Sequence, residues 1–536
     1  MARVLIVGSG ASGVHFAVSA LRKGHEVTML DVGHTRPDPV APQASFQGLK
    51  TALPDPATYF LGPEGEGVVY PATKSSYYGH PPSKDYVFRT PRAFTTTARE
   101  IRPVFSFARG GLAEAWTAGV YPFNDAELSQ YPFGYAELRE HYREVARRIG
   151  IGAVRDDLER FIPFDAEYLD PLPLDEHSQR LCDAYTKHRE RLNSSMRFYL
   201  GRSRVATLSR DYAGRRGCDQ LGRCLWGCPT DSIYSPLVTL KECLKESNFH
   251  YRPGVIAERF DYESSGRVSR LGVATEEGGE LEWLGADFLV LAAGALCSSK
   301  IYLDSVYQRT GEIPVLPGLM DNRQIHVPFL TPALIGRPVE TSSYQYHHLA
   351  FGIEGDTPTS YVHGQITTLK SASIHPIVSS LPLDLKTATE LFRSLRAGLG
   401  IANVNLHDER RDESYLTLEP VEDRRRTRLV LQYRDPPDET HRAAVAIRAV
   451  KRAIGRLGGI VPPGMTRVLP KGASVHYAGT LPMTNSAVEH GSRPDGRSWQ
   501  FENLIIADGA GFPFLPAKNL TFTLMANATR IAEAVL

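Results

Sequence analysis

One stretch near the N-terminus limits what this chain can fold into more than any other. Arg3–Val7 is an apolar run of strand character, Gly8-Ser9-Gly10-Ala11-Ser12-Gly13 follows it, residues 11–23 have helical spacing with few breakers, and Glu26–Leu30 is a second apolar strand ending at Asp31. Strand, glycine turn, helix and strand in about 30 residues make a βαβ unit, the start of a parallel sheet. Glycines let the turn close and let backbone approach a pyrophosphate resting on the helix N-terminus, while an acid at the end of the second strand accepts hydrogen bonds from ribose hydroxyls. The segment reads as a dinucleotide site, and on its own it does not separate FAD from NAD.

The rest of the composition narrows the setting. A chain of 536 residues suits two or three domains. With 61 basic and 60 acidic side chains the net charge is +1, so there is no global basic field and no nucleic-acid partner is expected. No apolar run approaches the ~20 residues of a membrane helix, and no membrane partner is expected either. Arg3 opens directly into the first strand, which leaves no room for a leader, and the chain is read as cytoplasmic. Six cysteines do not make a disulfide scaffold in a chain of this length.

Along the chain, residues 37–100 are irregular and carry interleaved aromatics, Tyr59, Phe60, Tyr70, Tyr77, Tyr78, Tyr86 and Phe88. They are read as a lid or interface arm, with plain surface packing as the alternative. Residues 137–149 read as an amphipathic helix, residues 287–293 as a buried strand, and residues 440–457 as a helix. Residues 344–353 and 361–369 alternate apolar and polar positions, which predicts antiparallel strands with one wet face. The charge run at 422–428 reads as a solvated turn between strands, 503–507 as the last strand, and Thr521–Val535 as the last helix.

Further motifs carry chemistry. Arg109-Gly110-Gly111 lies just before Ala115-Trp116, a glycine pair beside an aromatic that suggests backbone against a flat ligand. The strand at 287–293 ends in Ala293-Gly294, small enough for backbone to approach a cofactor again. The C-terminal part contains His476-Tyr477-Ala478-Gly479-Thr480, then Asn503-Leu504-Ile505-Ile506-Ala507-Asp508, then Asn519-Leu520-Thr521-Phe522-Thr523. In this order the motifs resemble those of the glucose–methanol–choline (GMC) oxidoreductases, and within them the pyranose-oxidase-like, bacterial glycoside-oxidising branch. The resemblance implies an α/β protein: a Rossmann-like FAD-binding domain of the GMC and p-hydroxybenzoate-hydroxylase type, with a substrate domain on a mostly antiparallel sheet. It places the FAD-binding domain at 1–155, 203–310 and 471–536, and the substrate domain at 156–202 and 311–470.

What the resemblance implies for chemistry is oxidation of a carbinol in a sugar, glycoside or related polyol to a carbonyl. His476 takes the hydroxyl proton, a hydride passes to flavin N5, and Asn519 is the partner of His476. An imidazole with a reference pKa near ~6.5 suits that proton transfer, and a carboxamide holds the hydroxyl oxygen without competing for its proton. The cofactor-binding set is Gly8, Gly10, Ala11, Ser12, Gly13, Asp31, Arg109, Gly110, Gly111, Ala115, Trp116, Val255, Ala293, Gly294, Asp508, Gly509, Asn519, Leu520 and Thr521. Asp508 is read as a ribityl partner or a cap. Ala115 stands where some pyranose oxidases attach FAD through a histidine, so the FAD here is expected to be non-covalent.

Substrate candidates on the alternating segments are Gln345, His347, His363 and Gln365. Cys218, Cys224 and Cys228 are spaced C-x5-C-x3-C. They leave open a structural loop with or without one disulfide, a metal site, and a redox or gating role, and no resident metal is assigned. Oxygen or another electron acceptor, and a homo-oligomer, are left open. The alternatives in function are a natural-product tailoring alcohol oxidase or dehydrogenase, and a flavin-containing enzyme of the hydroxynitrile-lyase kind.

Overall fold

The computed structural model describes residues 1–36, 44–65, 80–368, 378, 381–421 and 426–536. Tyr70, Tyr77 and Tyr78 of the aromatic arm, and most of the 422–428 charge run, lie outside these. The elements that position the site are, in chain order, β1 (Arg3–Val7), α1 (Ala11–Arg22), β2 (Glu26–Leu30), α2 (Tyr135–Ile149), α3 (Glu176–Met196), β3 (Phe198–Arg202), β4 (Phe249–Arg252), β5 (Phe288–Leu291) and α4 (Ala295–Thr310). They continue with β6 (Arg323–Leu330), β7 (His347–Ile353), β8 (Val362–Thr368), β9 (Leu399–Leu406), α5 (Glu439–Arg456), β10 (Arg467–Val468), β11 (Leu504–Ile506) and α6 (Thr521–Val535).

The first sheet is parallel, in the order β11-β5-β1-β2-β4. Successive side chains on a strand point to opposite faces, and both faces here are apolar. Val4 and Ile6 pack with Val14, Phe16 and Ala17 of α1 and Ile531 of α6, while Leu5 and Val7 pack with Phe260 and Leu271 of an antiparallel layer and Ile301 and Leu303 of α4. That two-sided burial is what an all-parallel sheet requires.

The second sheet is antiparallel, in the order β10-β6-β9-β8-β7-β3. One face carries Ile325, Val327, Phe351, Ile366, Ala402 and Val404, packed on Leu181, Tyr185 and Leu192 of α3 and Ala446, Val450 and Ile454 of α5. The opposite face is polar, and register aligns it in rows: Gln324 beside Asn405 and Asn405 beside His363, then His326 beside Asn403 and Asn403 beside Gln365. Alternation along these strands predicts a wet face, but every residue of β7 is buried, as is most of β8. The polar face is covered because it looks into the interior cavity described next, not into solvent. Gln345 precedes β7 and belongs to no strand.

Candidate active site

A cavity of about 710 Å³ extends from the β1–α1 turn to the polar face of the second sheet. At one end, Gly8, Ser9, Gly10, Ala11 and Ser12 line it. Gly10 precedes α1 with no side-chain cap and no acid in the first turn, so the first amides of that helix face the cavity. Gly13 does not reach the wall. A Cβ there would lie 2.0 Å from the Gly8 carbonyl oxygen, so its absence is what lets helix and strand close. The Ser9 hydroxyl donates to the Asp31 carboxylate and accepts from the Gly110 amide at 2.9 Å, tying the first turn to the second glycine turn. Gly110 supports the wall in this way, while Gly111 lines it.

Asp31 lines the cavity, receives the Tyr251 hydroxyl at 3.3 Å, and is pushed up to about 6 by burial. Arg109 lies behind the wall, its guanidinium 4.8 Å from the Tyr251 ring centre, and its Nε is buried without a partner among the described residues. Val255, Ala293 and Gly294 complete this end. Charged side chains of Glu258, Arg259, Lys300, Asp304 and Arg426 also border the cavity.

The middle of the cavity is lined by Ala115, Trp116, Asp508, Gly509, Leu520 and Thr521. Trp116 is fixed by its indole N–H on the Tyr234 carbonyl at 2.8 Å. Asp508 accepts from Ala510 N at 3.0 Å, capping the next turn, and from the Ser298 hydroxyl at 2.5 Å, and burial pushes it to about 6. It therefore caps and faces the cavity at once.

Beyond this point lie His476 and Asn519, both in the wall. His476 Nδ1 is 2.9 Å from Asn322 Oδ1, and burial brings its pKa down to about 4. Asn519 Oδ1 accepts from the Gln365 amide at 2.9 Å, which leaves its own N–H groups for the cavity. Lys518, next in the chain, is wholly buried and donates to Glu127 at 2.6 Å and to the carbonyls of Pro122 and Phe161, clamping the segment that presents Asn519.

The sequence-derived substrate candidates are placed unequally. Gln345, His347 and Gln365 line the cavity. His347 has both nitrogens taken, by Thr367 at 2.7 Å and Thr117 at 2.8 Å, and burial lowers it to about 3. His363 does not line the cavity; it bonds the Tyr361 hydroxyl at 2.6 Å and packs edge-on against Tyr121, one layer behind the wall. Sequence reasoning passed over Gln324, His326, Asn403 and Asn405, which form the same wall. Their signal was the same two-residue alternation, in segments that were not singled out.

The three clustered cysteines are free thiols, so the disulfide alternative does not hold. Cys224 Sγ accepts from Gln345 N at 3.4 Å, and Cys228 Sγ lies 3.1 Å from Ser232 Oγ. Burial pushes Cys218 up to about 11. Their loop reaches the cavity through Leu225. Of the aromatic arm, Phe46, Tyr59 and Phe60 pack on Trp226 of the same loop, and Phe88 lines the cavity.

The residues present fit FAD. A bare helix N-terminus and a buried acid meet at one end, and a glycine turn with Trp116 flanks the middle. Residues 410–528 match the family model described as GMC oxidoreductase. Pyridoxine 4-oxidase from Mesorbium loti superposes with a TM-score of 0.58 at 18% identity, covering 100% of this chain and 99% of that one. Formate oxidase of Aspergillus oryzae RIB40 gives 0.63 at 13% identity, covering 99% and 97%. An FAD-dependent oxidoreductase from Chaetomium thermophilum gives 0.59 at 12% identity, covering 99% and 98%. At these identities the likeness is one of fold. No curated protein matches the chain. The C-terminal segment thus carries the GMC oxidoreductase sequence pattern, and the whole chain carries the fold.

Proposed function

We propose that this chain oxidises a carbinol of a neutral, hydroxyl-rich molecule, a sugar, glycoside or related polyol, to the carbonyl. FAD, when bound, supplies the two-electron acceptor for the carbinol hydride. His476 Nε2 accepts the hydroxyl proton, and the Asn519 amide donates to the carbinol oxygen as its charge grows. With burial holding His476 near 4, the imidazole is a free base throughout the neutral range.

The observation that carries the substrate class is the make-up of the far wall. Gln324, His326, His347, Gln365, Asn403 and Asn405 face the cavity with no ionised side chain among them, since burial keeps His326 near 4 and His347 near 3. Each amide of this wall offers N–H donors and a carbonyl acceptor, and a substrate hydroxyl, which both donates and accepts, is the group that pairs with both. A carboxylate such as formate can only accept, so it would leave the amide oxygens of that wall without donors and find no cation among these residues.

Ala115 offers no atom for a bond to flavin, which supports non-covalent FAD. The deciding experiment is an anaerobic panel of free sugars, glycosides, pyridoxine and formate, followed by flavin absorbance at about 450 nm. Bleaching by a sugar or glycoside is expected. Bleaching by formate alone, or by none of the panel, overturns the reading. Admitting oxygen or an artificial acceptor to the reduced protein then separates oxidase from dehydrogenase.

A further inference from the structure

We propose that Asn322 is a positioning residue that holds His476 in the tautomer able to accept a proton; this rests on His476 being the base of the reaction above. The two residues are brought together by a short antiparallel ladder. Met320 pairs with Ala478 and Asp321 with Tyr477, so Asn322 and His476 emerge side by side from its end.

The orientation of the Asn322 amide is forced by its surroundings. Its Nδ2 donates to the carbonyls of Leu406 at 2.9 Å and Pro516 at 3.0 Å. Carbonyls only accept, so the atom facing them carries hydrogens and the atom facing His476 is Oδ1. Oδ1 has no hydrogen to give. The 2.9 Å contact therefore needs the hydrogen on His476 Nδ1. A neutral imidazole has one N–H, so Nε2 is left with its lone pair toward the cavity. Among the described residues Nε2 has no partner.

The same amide joins three segments of the site: Leu406 at the end of β9, Pro516 on the approach to Asn519, and His476 itself. The neighbouring Asp321 fixes the backbone, accepting from Gly472 N at 2.7 Å and from the Ser474 hydroxyl at 2.5 Å, and that hydroxyl oxygen accepts from His476 N at 3.1 Å. Ring and backbone of the base are thus held by adjacent residues.

In the proton transfer the substrate O–H bond breaks and an Nε2–H bond forms. The ring becomes a cation with both nitrogens protonated, and Nδ1–H continues to donate to a neutral oxygen. The titratable groups near the ring are His363, whose protonation the His476 charge opposes, and Asp321, whose backbone carbonyl accepts from Lys471 Nζ at 3.0 Å. Asn322 adds no charge; it sets orientation and tautomer, and its oxygen on Nδ1–H favours the imidazolium less than a carboxylate there would.

The test uses histidine labelled with nitrogen-15 in the full-length flavoprotein, with His476→Gln identifying the ring signals, alongside kcat/KM against pH. In the wild type, without substrate, His476 should show hydrogen on Nδ1. Asn322→Ala should lose that single tautomer and lower kcat/KM by about 10²-fold. A wild-type ring protonated at Nε2 overturns the proposal whether or not any variant folds, and so does an Asn322→Ala protein with unchanged ring signal and rate. Absence of turnover with every alcohol tried counts against the oxidoreductase reading, while the ring signal alone decides the assignment of Asn322.

Discussion

His476 owes its basic form at neutral pH to burial, which brings its pKa down to about 4. The sign is that of a group whose charged state is disfavoured: the base is present above that pH and protonated below it. We predict that kcat/KM stays flat on the acid side from pH 7 to about 5 and falls tenfold per pH unit below about 4, read from a pH profile in the wild type. A limb near the ordinary histidine value of ~6.5 contradicts the buried environment. At this scale the place of His476, Asn519 and Asp31 in one cavity wall was legible because each sits in a fixed spacing with neighbours of defined kind. His363 was not, because alternation tells which face of a strand a residue occupies but not whether an aromatic such as Tyr121 covers it. Asn322 was not legible either, since its role depends on carbonyls 84 and 194 residues away.

Among the elements, the segment carrying Asn519 depends on a buried ion pair. Lys518 and Glu127 are each at most 2% exposed by side chain and lie 2.6 Å apart. Removing one partner of such a pair leaves a buried charge uncompensated, at a cost of about 3–5 kcal/mol. Lys518→Met should therefore lower stability by that order in chemical denaturation, and adding Glu127→Gln should recover part of it. A single variant as stable as the wild type contradicts the clamp. Elements with strong periodicity were legible, to the residue for α6 and within two residues for α2 and α5. The 21-residue α3 was not, because its buried apolar contacts are sparse, Leu181, Tyr185 and Leu192 among charged positions. The Asp175 side chain caps it by accepting from Ser178 N, a start signal that the polar run after it obscures.

At the scale of the molecule, one parallel sheet gathers strands from residues 3 to 506 and one antiparallel sheet gathers strands from 198 to 468, with the cavity running from the β1–α1 turn of the first to the polar face of the second. Local pattern shows strands but not which distant strands pair, so the interleaving came from family resemblance and not from periodicity. The wet-face expectation failed for the same reason, since a polar face over an internal cavity reads in sequence like one over solvent. Acid precipitation of the purified protein should leave the flavin in the supernatant, because the wall beside Trp116 presents the Ala115 methyl; flavin in the pellet contradicts non-covalent binding. The central claim is that FAD and His476 share this cavity as acceptor and base. It is tested most directly by anaerobic stopped-flow reduction of flavin in His476→Ala with the best substrate of the panel. The account predicts flavin content equal to wild type and reduction slower by ~10²–10⁴-fold; reduction at the wild-type rate contradicts it.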